Sequence, residues 1–206
     1  MRKIVKRTID IVLSAVALLL TLAISAVIAI LIKLTSEGPV FFKQERLGQF
    51  GKTRFQCYKF RTMYVNNDAS RHKEFVRQLI ESGHESDGKT TYKIVDDSRV
   101  TPIGKFLRKT SLDEFPQFWN VLIGDMALVG PRPPVPYEFE MYKPWHRRRL
   151  DVMLGLTGLW QVSGRSKLSF DDMVKLDLHY CEKWDIWMDL KIIAATPLVL
   201  FTGKSS

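Results

Sequence analysis

Asp113 and Glu114 stand side by side within Lys109-Thr110-Ser111-Leu112-Asp113-Glu114-Phe115-Pro116-Gln117. Two adjacent carboxylates can divide labour at a phosphate: one attacks phosphorus as a nucleophile while its neighbour holds a divalent cation. The local pattern predicts that this pair occupies the first turn of a helix. Ser111 suits the N-cap, Glu114 three residues on completes a capping box, and Phe115, Phe118, Trp119 and Leu122 continue an apolar face. Such a turn presents unpaired backbone N–H groups and the positive end of the helix dipole, both favourable to phosphate. The same residues equally suit a structural role, with Glu114 only capping and Asp113 only complementing the dipole.

Basic residues gather near Gly, Pro and helix starts: Lys59, Arg61, Arg108, Arg132 and Arg165. Singly, each reads as a solvated surface charge. Together with two carboxylates they resemble a phosphate site with bidentate Arg clamps. The net charge of +9 and a pI near 9.6 call for an anionic partner: nucleic acid, acidic lipid or a phosphorylated substrate. The aromatics sit in apolar contexts rather than alternating with Lys and Arg, and no nucleic-acid motif occurs, which argues against nucleic acid. Cys57 and Cys181 are too few for a disulfide framework and lack ligand spacing, as do His72, His84, His146 and His179. Both cysteines are expected as buried, reduced thiols, in keeping with a cytosolic compartment.

The elements that must position these groups begin with an apolar run. Ile11 to Ile32 carries no charge, and at 1.5 Å per residue it extends about 33 Å, enough for a hydrocarbon core of about 30 Å. A signal peptide fits less well, because the run is long and no small-residue cleavage site follows. Arg2, Lys3, Lys6 and Arg7 precede it, and Lys33, Lys43 and Arg46 follow. A spanning helix frustrates one of these basic flanks; a helix that bends and returns satisfies both. The run has no Pro or Gly, but the Thr21 and Ser25 hydroxyls can bond back to the preceding turn and bend it.

Beyond Gly38-Pro39, Val40-Phe41-Phe42 and residues 54–60 read as short strands around the turn Gly48-Gln49-Phe50-Gly51. Helical patterns cover 66–82, 103–109 and 171–182. Residues 84–89 and 124–136 read as loops, and 186–201 is apolar and interrupted by Pro197. The expectation is a small α/β domain, helix-dominated with a small sheet, behind an N-terminal membrane helix.

Six segments in this order resemble the bacterial sugar transferases, also called monotopic phosphoglycosyl transferases. They are residues 6–10 (Lys-Arg-Thr-Ile-Asp), 38–48 (Gly-Pro-Val-Phe-Phe-Lys-Gln-Glu-Arg-Leu-Gly), 58–63 (Tyr-Lys-Phe-Arg-Thr-Met), 111–117, 124–133 (Gly-Asp-Met-Ala-Leu-Val-Gly-Pro-Arg-Pro) and 155–165. The resemblance implies transfer of a sugar-1-phosphate from a UDP-sugar to polyprenyl (undecaprenyl) phosphate with release of UMP. It implies Asp113 as the nucleophile forming a covalent aspartyl-phosphosugar. Glu114, beside Asp113, would hold Mg²⁺, and Arg132 would clamp phosphate between two prolines. Lys59, Arg61, Arg108 and Arg165 match basic positions of the pocket, and Asp177 matches an acid. It further implies a re-entrant anchor over residues 1–36, a catalytic domain over 37–206, and a place at the bacterial inner membrane with the domain on the cytoplasmic face. Where the family often bends its anchor at a Ser-Pro pair, this chain has Leu22-Ala23. An insertion at about 66–96 is expected as a solvent-exposed excursion, with sugar recognition or homodimer contacts as the alternative. Trp184, Trp187, Ile192, Leu198 and Phe201 suit either a membrane-interface segment or core packing.

Overall fold

The computed structural model describes residues 1–65, 70–82, 97–164 and 168–201. A long helix, α1 (Arg2–Thr35), leads into an antiparallel hairpin of β1 (Phe41–Leu47) and β2 (Arg54–Phe60). Register runs from Phe41 opposite Phe60 to Leu47 opposite Arg54, so β1 is longer than the Val40–Phe42 segment its sequence suggests. Then come α2 (Ser70–Ser82), α3 (Pro102–Thr110), a 3-10 turn (Leu112–Glu114) and α4 (Gln117–Ile123). A second sheet pairs β3 (Ala127–Val129) in parallel with β4 (Gly155–Thr157). Between its strands lie α5 (Pro136–Glu140) and α6 (Pro144–Arg147), and after it α7 (Leu159–Ser163), α8 (Phe170–Lys183) and α9 (Ile186–Phe201). The predicted class holds: helices dominate, with two small sheets.

Local chemistry explains the elements nearest the site. Thr101 caps α3, its hydroxyl accepting from the Gly104 N–H at 3.0 Å, and Pro102 sits at the first helical position. Ser169 does the same for α8 through the Asp172 N–H at 3.1 Å, with Asp171 and Asp172 in the first turn, where the dipole favours them. α9 runs through Pro197 rather than breaking there.

α1 is long and apolar enough to cross a membrane. Its middle stands clear of the protein, with Leu19, Leu20 and Leu22 between 65% and 73% exposed. Both ends, however, dock on the same globular part. Near the N-terminus, Arg7 donates to the Val121 and Leu122 carbonyls (2.6 and 2.8 Å) at the C-terminal end of α4, where carbonyls lack helical partners. Near the C-terminus, Ile28 and Ile32 bury against Phe60 and Leu107. Thr21 Oγ1 donates to the Ala17 carbonyl at 2.7 Å, the back-bond expected of a bending helix.

The largest core joins Leu47, Tyr142, Leu150, Leu154, Phe170 and Val174 to Val76, Leu79 and Ile80 of α2. The described helix of the 66–96 insertion is therefore part of the core, not a solvent-exposed excursion; its apolar stripe needs this cover, and the rest of the insertion lies outside the described residues. A second cluster gathers Val121, Met126, Val129, Tyr180 and Ile192, with Trp184 packed against it. Trp184 and Ile192 are thus core residues, whereas Trp187 and Leu198 face outward at 72% and 66% exposure.

Candidate active site

Asp113 and Glu114 do not lie in a capped helical turn. Ser111 adopts a left-handed conformation (φ 57°) and makes no side-chain cap bond, and the pair sits in the 3-10 turn ahead of Pro116. The N–H groups of Glu114 and Phe115 are taken by the Ser111 and Leu112 carbonyls, so these two donors are not offered to an anion. The reason is local: Pro116 has no N–H to give, and α4 begins only at Gln117. Positive charge comes instead from side chains.

Lys59, near the end of β2, places its ammonium 2.6 Å from Glu114 Oε1, and Arg132 Nη1 lies 3.8 Å from the same oxygen. Arg108, in the last turn of α3, donates through Nε to Thr62 Oγ1 at 2.9 Å. Burial pulls its guanidinium below the ordinary value, while Asp113 and then Asp97 oppose that shift. Asp113 itself is buried, 8% exposed. Lys59, Arg108, Asp113, Glu114 and Arg132, five residues named from sequence, therefore converge.

Lys59 and Arg132 also line a cleft enclosing about 240 Å³, part of it open to solvent, together with Arg46, Cys57, Gln117 and Gly155. Burial pushes the Cys57 thiol up, against Lys59 and Arg46, so it lines the cleft as a neutral thiol. Arg46, which the sequence reading did not assign to the site, donates to the Pro133 carbonyl at 2.6 Å and so fixes the Arg132 loop from β1. The other side of that loop is fixed by β4: the Gly130 N–H reaches the Thr157 carbonyl (2.9 Å), and the Gly155 N–H reaches that of Pro131 (2.8 Å). A Cβ on Gly155 would lie 2.1 Å from the Gly130 nitrogen, and one on Gly130 would lie 2.3 Å from the Met153 carbonyl oxygen. These two glycines permit the strand contact that sets the clamp.

The turn is held over Lys59 by Asn120 of α4. Fully buried, Asn120 accepts from the Tyr58 N–H (3.0 Å) and donates to the Gln56 carbonyl (2.7 Å), as a neighbouring strand would. Beside Arg108 lies a second pair missed from sequence, Asp97 and Arg99, joined at 2.7 Å. Arg46 and Gln117 both fall inside the quoted motifs, which is the signal that could have found them; Asn120 and Asp97 had none.

Two predicted residues among those described are not brought into this group. Arg61 lies past the end of β2 and turns to α1, donating to the carbonyls of Glu37 and of Ser36 (2.8 Å), where the helix end leaves acceptors open. Asp177 is a core residue of α8, fully buried and paired with Arg149. Burial pushes its carboxyl up to about 6, with Arg149 opposing. Arg165 lies outside the described residues.

Mg²⁺ commonly takes one or two protein carboxylates and completes its shell with substrate oxygens and water. Asp113 and Glu114 suit that modest demand, and among the described residues no cluster of three or more His, Cys, Asp or Glu offers a fuller cage.

The chain is similar along most of its length to known transferases. The galactosyl transferase CpsE of Streptococcus agalactiae is 45% identical over 170 residues, covering 82% of this chain and 36% of its own length. An undecaprenyl-phosphate galactose phosphotransferase of Salmonella typhimurium is 40% identical over 96% of this chain and 40% of its own. The chain thus spans about two fifths of these relatives or less, but 83% of the exopolysaccharide production protein ExoY of Sinorhizobium fredii, also 40% identical. The family match itself runs from residue 1 to 203, and the chain belongs to the bacterial sugar transferase family.

Proposed function

We propose that the chain transfers a sugar-1-phosphate from a UDP-sugar to undecaprenyl phosphate. The observation that carries this reading is the buried Asp113 in a turn enclosed by Lys59, Arg108 and Arg132, beside a long apolar helix. The cations exceed the carboxylates, which suits a substrate with two phosphates and a second one with a phosphate head group. The name of the Salmonella typhimurium relative supports undecaprenyl phosphate as the acceptor, and that of a UDP-glucose:undecaprenyl-phosphate glucose-1-phosphate transferase of Klebsiella pneumoniae supports the pair.

In this reading an Asp113 carboxylate oxygen attacks the β-phosphorus of the nucleotide sugar. The new O–P bond forms as the bridging P–O bond breaks, and UMP leaves with the bonding electrons. A phosphate oxygen of the lipid then attacks the same phosphorus, restoring the carboxylate and yielding the lipid diphosphosugar. Arg132 and Lys59 orient the diphosphate and neutralise charge that builds on its oxygens. Asp113 and Glu114 would hold Mg²⁺, whose charge offsets repulsion between carboxylate and diphosphate. Lys59, bonded to Glu114, fixes that carboxylate in the meantime.

The anchor reading is re-entrant, with both flanks and the catalytic part on the cytoplasmic face. In a straight helix Lys6 and Lys33 would lie about 40 Å apart, on opposite sides of a core of about 30 Å. Yet Arg7 bonds to α4 and Arg61 to Ser36 within one globular part. Single cysteines near Arg2 and Glu37, labelled from outside intact cells, test this: exposure of the N-terminus alone would show a spanning helix.

The chemical test is UMP release across a panel of UDP-sugars with Mg²⁺, with mass spectrometry for a phosphosugar adduct on Asp113. Asp113→Ala should abolish both. Full turnover in that variant would remove Asp113 as nucleophile.

A further inference from the structure

β3 leads directly into the loop that ends at Arg132, and its backbone is held by side chains of the anchor. The Leu128 N–H donates to Asp10 Oδ1 at 3.0 Å. The Val129 carbonyl accepts from Lys6 Nζ at 3.0 Å and from the Tyr180 hydroxyl at 3.1 Å. Lys6 is in turn fixed by Asp189 (2.7 Å), which also receives Tyr180 (2.7 Å) and Trp184 Nε1 (3.1 Å). Asp10 is 4% exposed and Ser14, one turn on, fully buried. A carboxylate in an apolar anchor opposes insertion unless it is partnered, and hydrophobic length alone would secure the membrane. Docking has its own bonds, from Arg7 to α4. Asp10 therefore does something else, and its bond shows where.

We propose that Asp10 is a positioning residue for the reaction. Through Leu128 it holds β3, and through β3 it holds Arg132 over the cleft, so that anchor and active site work as one unit. This rests on the reading of Arg132 as the phosphate clamp. Only three residues separate Leu128 from Arg132, and Pro131 and Pro133 restrict the loop. A shift at Leu128 is then carried to the guanidinium rather than absorbed.

The test uses the full chain in detergent micelles, with Asp10→Ala and Asp10→Asn. Hydrogen-exchange mass spectrometry follows the Leu128, Val129, Gly130 and Arg132 amides. In Asp10→Ala they should exchange about tenfold faster, the scale of one lost buried hydrogen bond to a charged group. Asp10→Asn keeps an acceptor oxygen and should restore most of the protection. Turnover should fall about tenfold in Asp10→Ala, but less than twofold further when Arg132→Ala is already present. Unchanged exchange over 127–132, or the same turnover loss with and without Arg132, would overturn the proposal. Full turnover in Arg132→Ala alone would instead overturn the clamp reading beneath it, while the exchange data still decide the Asp10 contact. If Asp10→Ala does not accumulate, Lys6→Met removes the bond to Val129 from the same arm and must raise exchange over the same amides.

Discussion

Gly104→Ala sets helix propensity against packing at the element that carries Arg108. In a free helix, alanine is favoured over glycine by about 1 kcal/mol. Here the new Cβ would lie 2.1 Å from the Thr62 carbonyl oxygen, 2.7 Å from the Thr62 carbonyl carbon and 2.8 Å from Thr101 Oγ1. The first two obstacles are backbone and cannot rotate away, so α3 must lift by about 1 Å to reach ordinary van der Waals separation. That lift strains three bonds: Thr101 N–H to the Thr62 carbonyl (3.0 Å), the Gly104 N–H to its cap (3.0 Å), and Arg108 Nε to Thr62 Oγ1 (2.9 Å). Overpacking costs about 1–3 kcal/mol and a weakened cap about 1 kcal/mol. Against the propensity gain, the net loss is about 2 kcal/mol, a fall in Tm of about 4–8 °C for a chain of this size. Misplacing Arg108 by about 1 Å should reduce UMP release on the order of a hundredfold. Thermal unfolding in detergent and the release assay read the two effects, with Lys105→Ala, an exposed change on the same helix, as control. A Tm equal to or above the parent with full turnover would refute the close approach of α3 to Thr62.

The remaining predictions divide the site from its support. Lys59→Met leaves Glu114 without its 2.6 Å partner; kcat for UMP release should fall at least about tenfold while stability drops by about 1 kcal/mol, the scale of a half-buried pair. Asp177→Asn removes the charge that partners the buried Arg149 and should cost about 3 kcal/mol, seen as a large drop in Tm, with turnover per folded molecule within about twofold of the parent. A larger kinetic loss would return Asp177 to the site. Asp97 is held at about 2 chiefly by the hydrogen bonds from Arg99. Its folded value is below the ordinary one of 3.8, so its contribution is complete above about pH 5 and is lost as pH falls toward 2. The stability gap between parent and Asp97→Asn, at most about 2 kcal/mol, should therefore narrow between pH 5 and pH 3 in urea titrations.

Long periodic segments were legible and short buried ones were not. α8 and α3 follow their predicted spans within a residue or two, because caps and a polar face mark them. β3 fell inside what reads as a loop, since a strand of three wholly buried residues shows no alternation. Of the site, the residues within one motif and its basic neighbours could be read, but their geometry could not. The capping-box pattern at Ser111 and Glu114 is satisfied by residue type alone, and Pro116 redirects it into a 3-10 turn. Arg61 and Lys59 are equivalent in sequence, both basic and two residues apart. Only the position of α1 sends one to a helix end and the other to Glu114.

The anchor shows why charge counting reads topology but misses mechanism. Treated as solvated charges, Lys6 and Arg7 say only that their flank prefers the cytoplasm. In the fold neither is a free surface charge. Arg7 meets carbonyls more than a hundred residues away in sequence, and Lys6 meets Asp189 still farther off. A local pattern cannot display such partners, yet the two readings are compatible. In the re-entrant reading proposed above, the membrane leaves these residues on the catalytic side so that their bonds form, and the bonds would then hold the helix return in place. Asp10 has no value as a topology signal, since acidic residues contribute little to orientation. Its place three residues after Arg7 is explained by the Leu128 N–H it receives, and so by the strand that leads into the Arg132 loop.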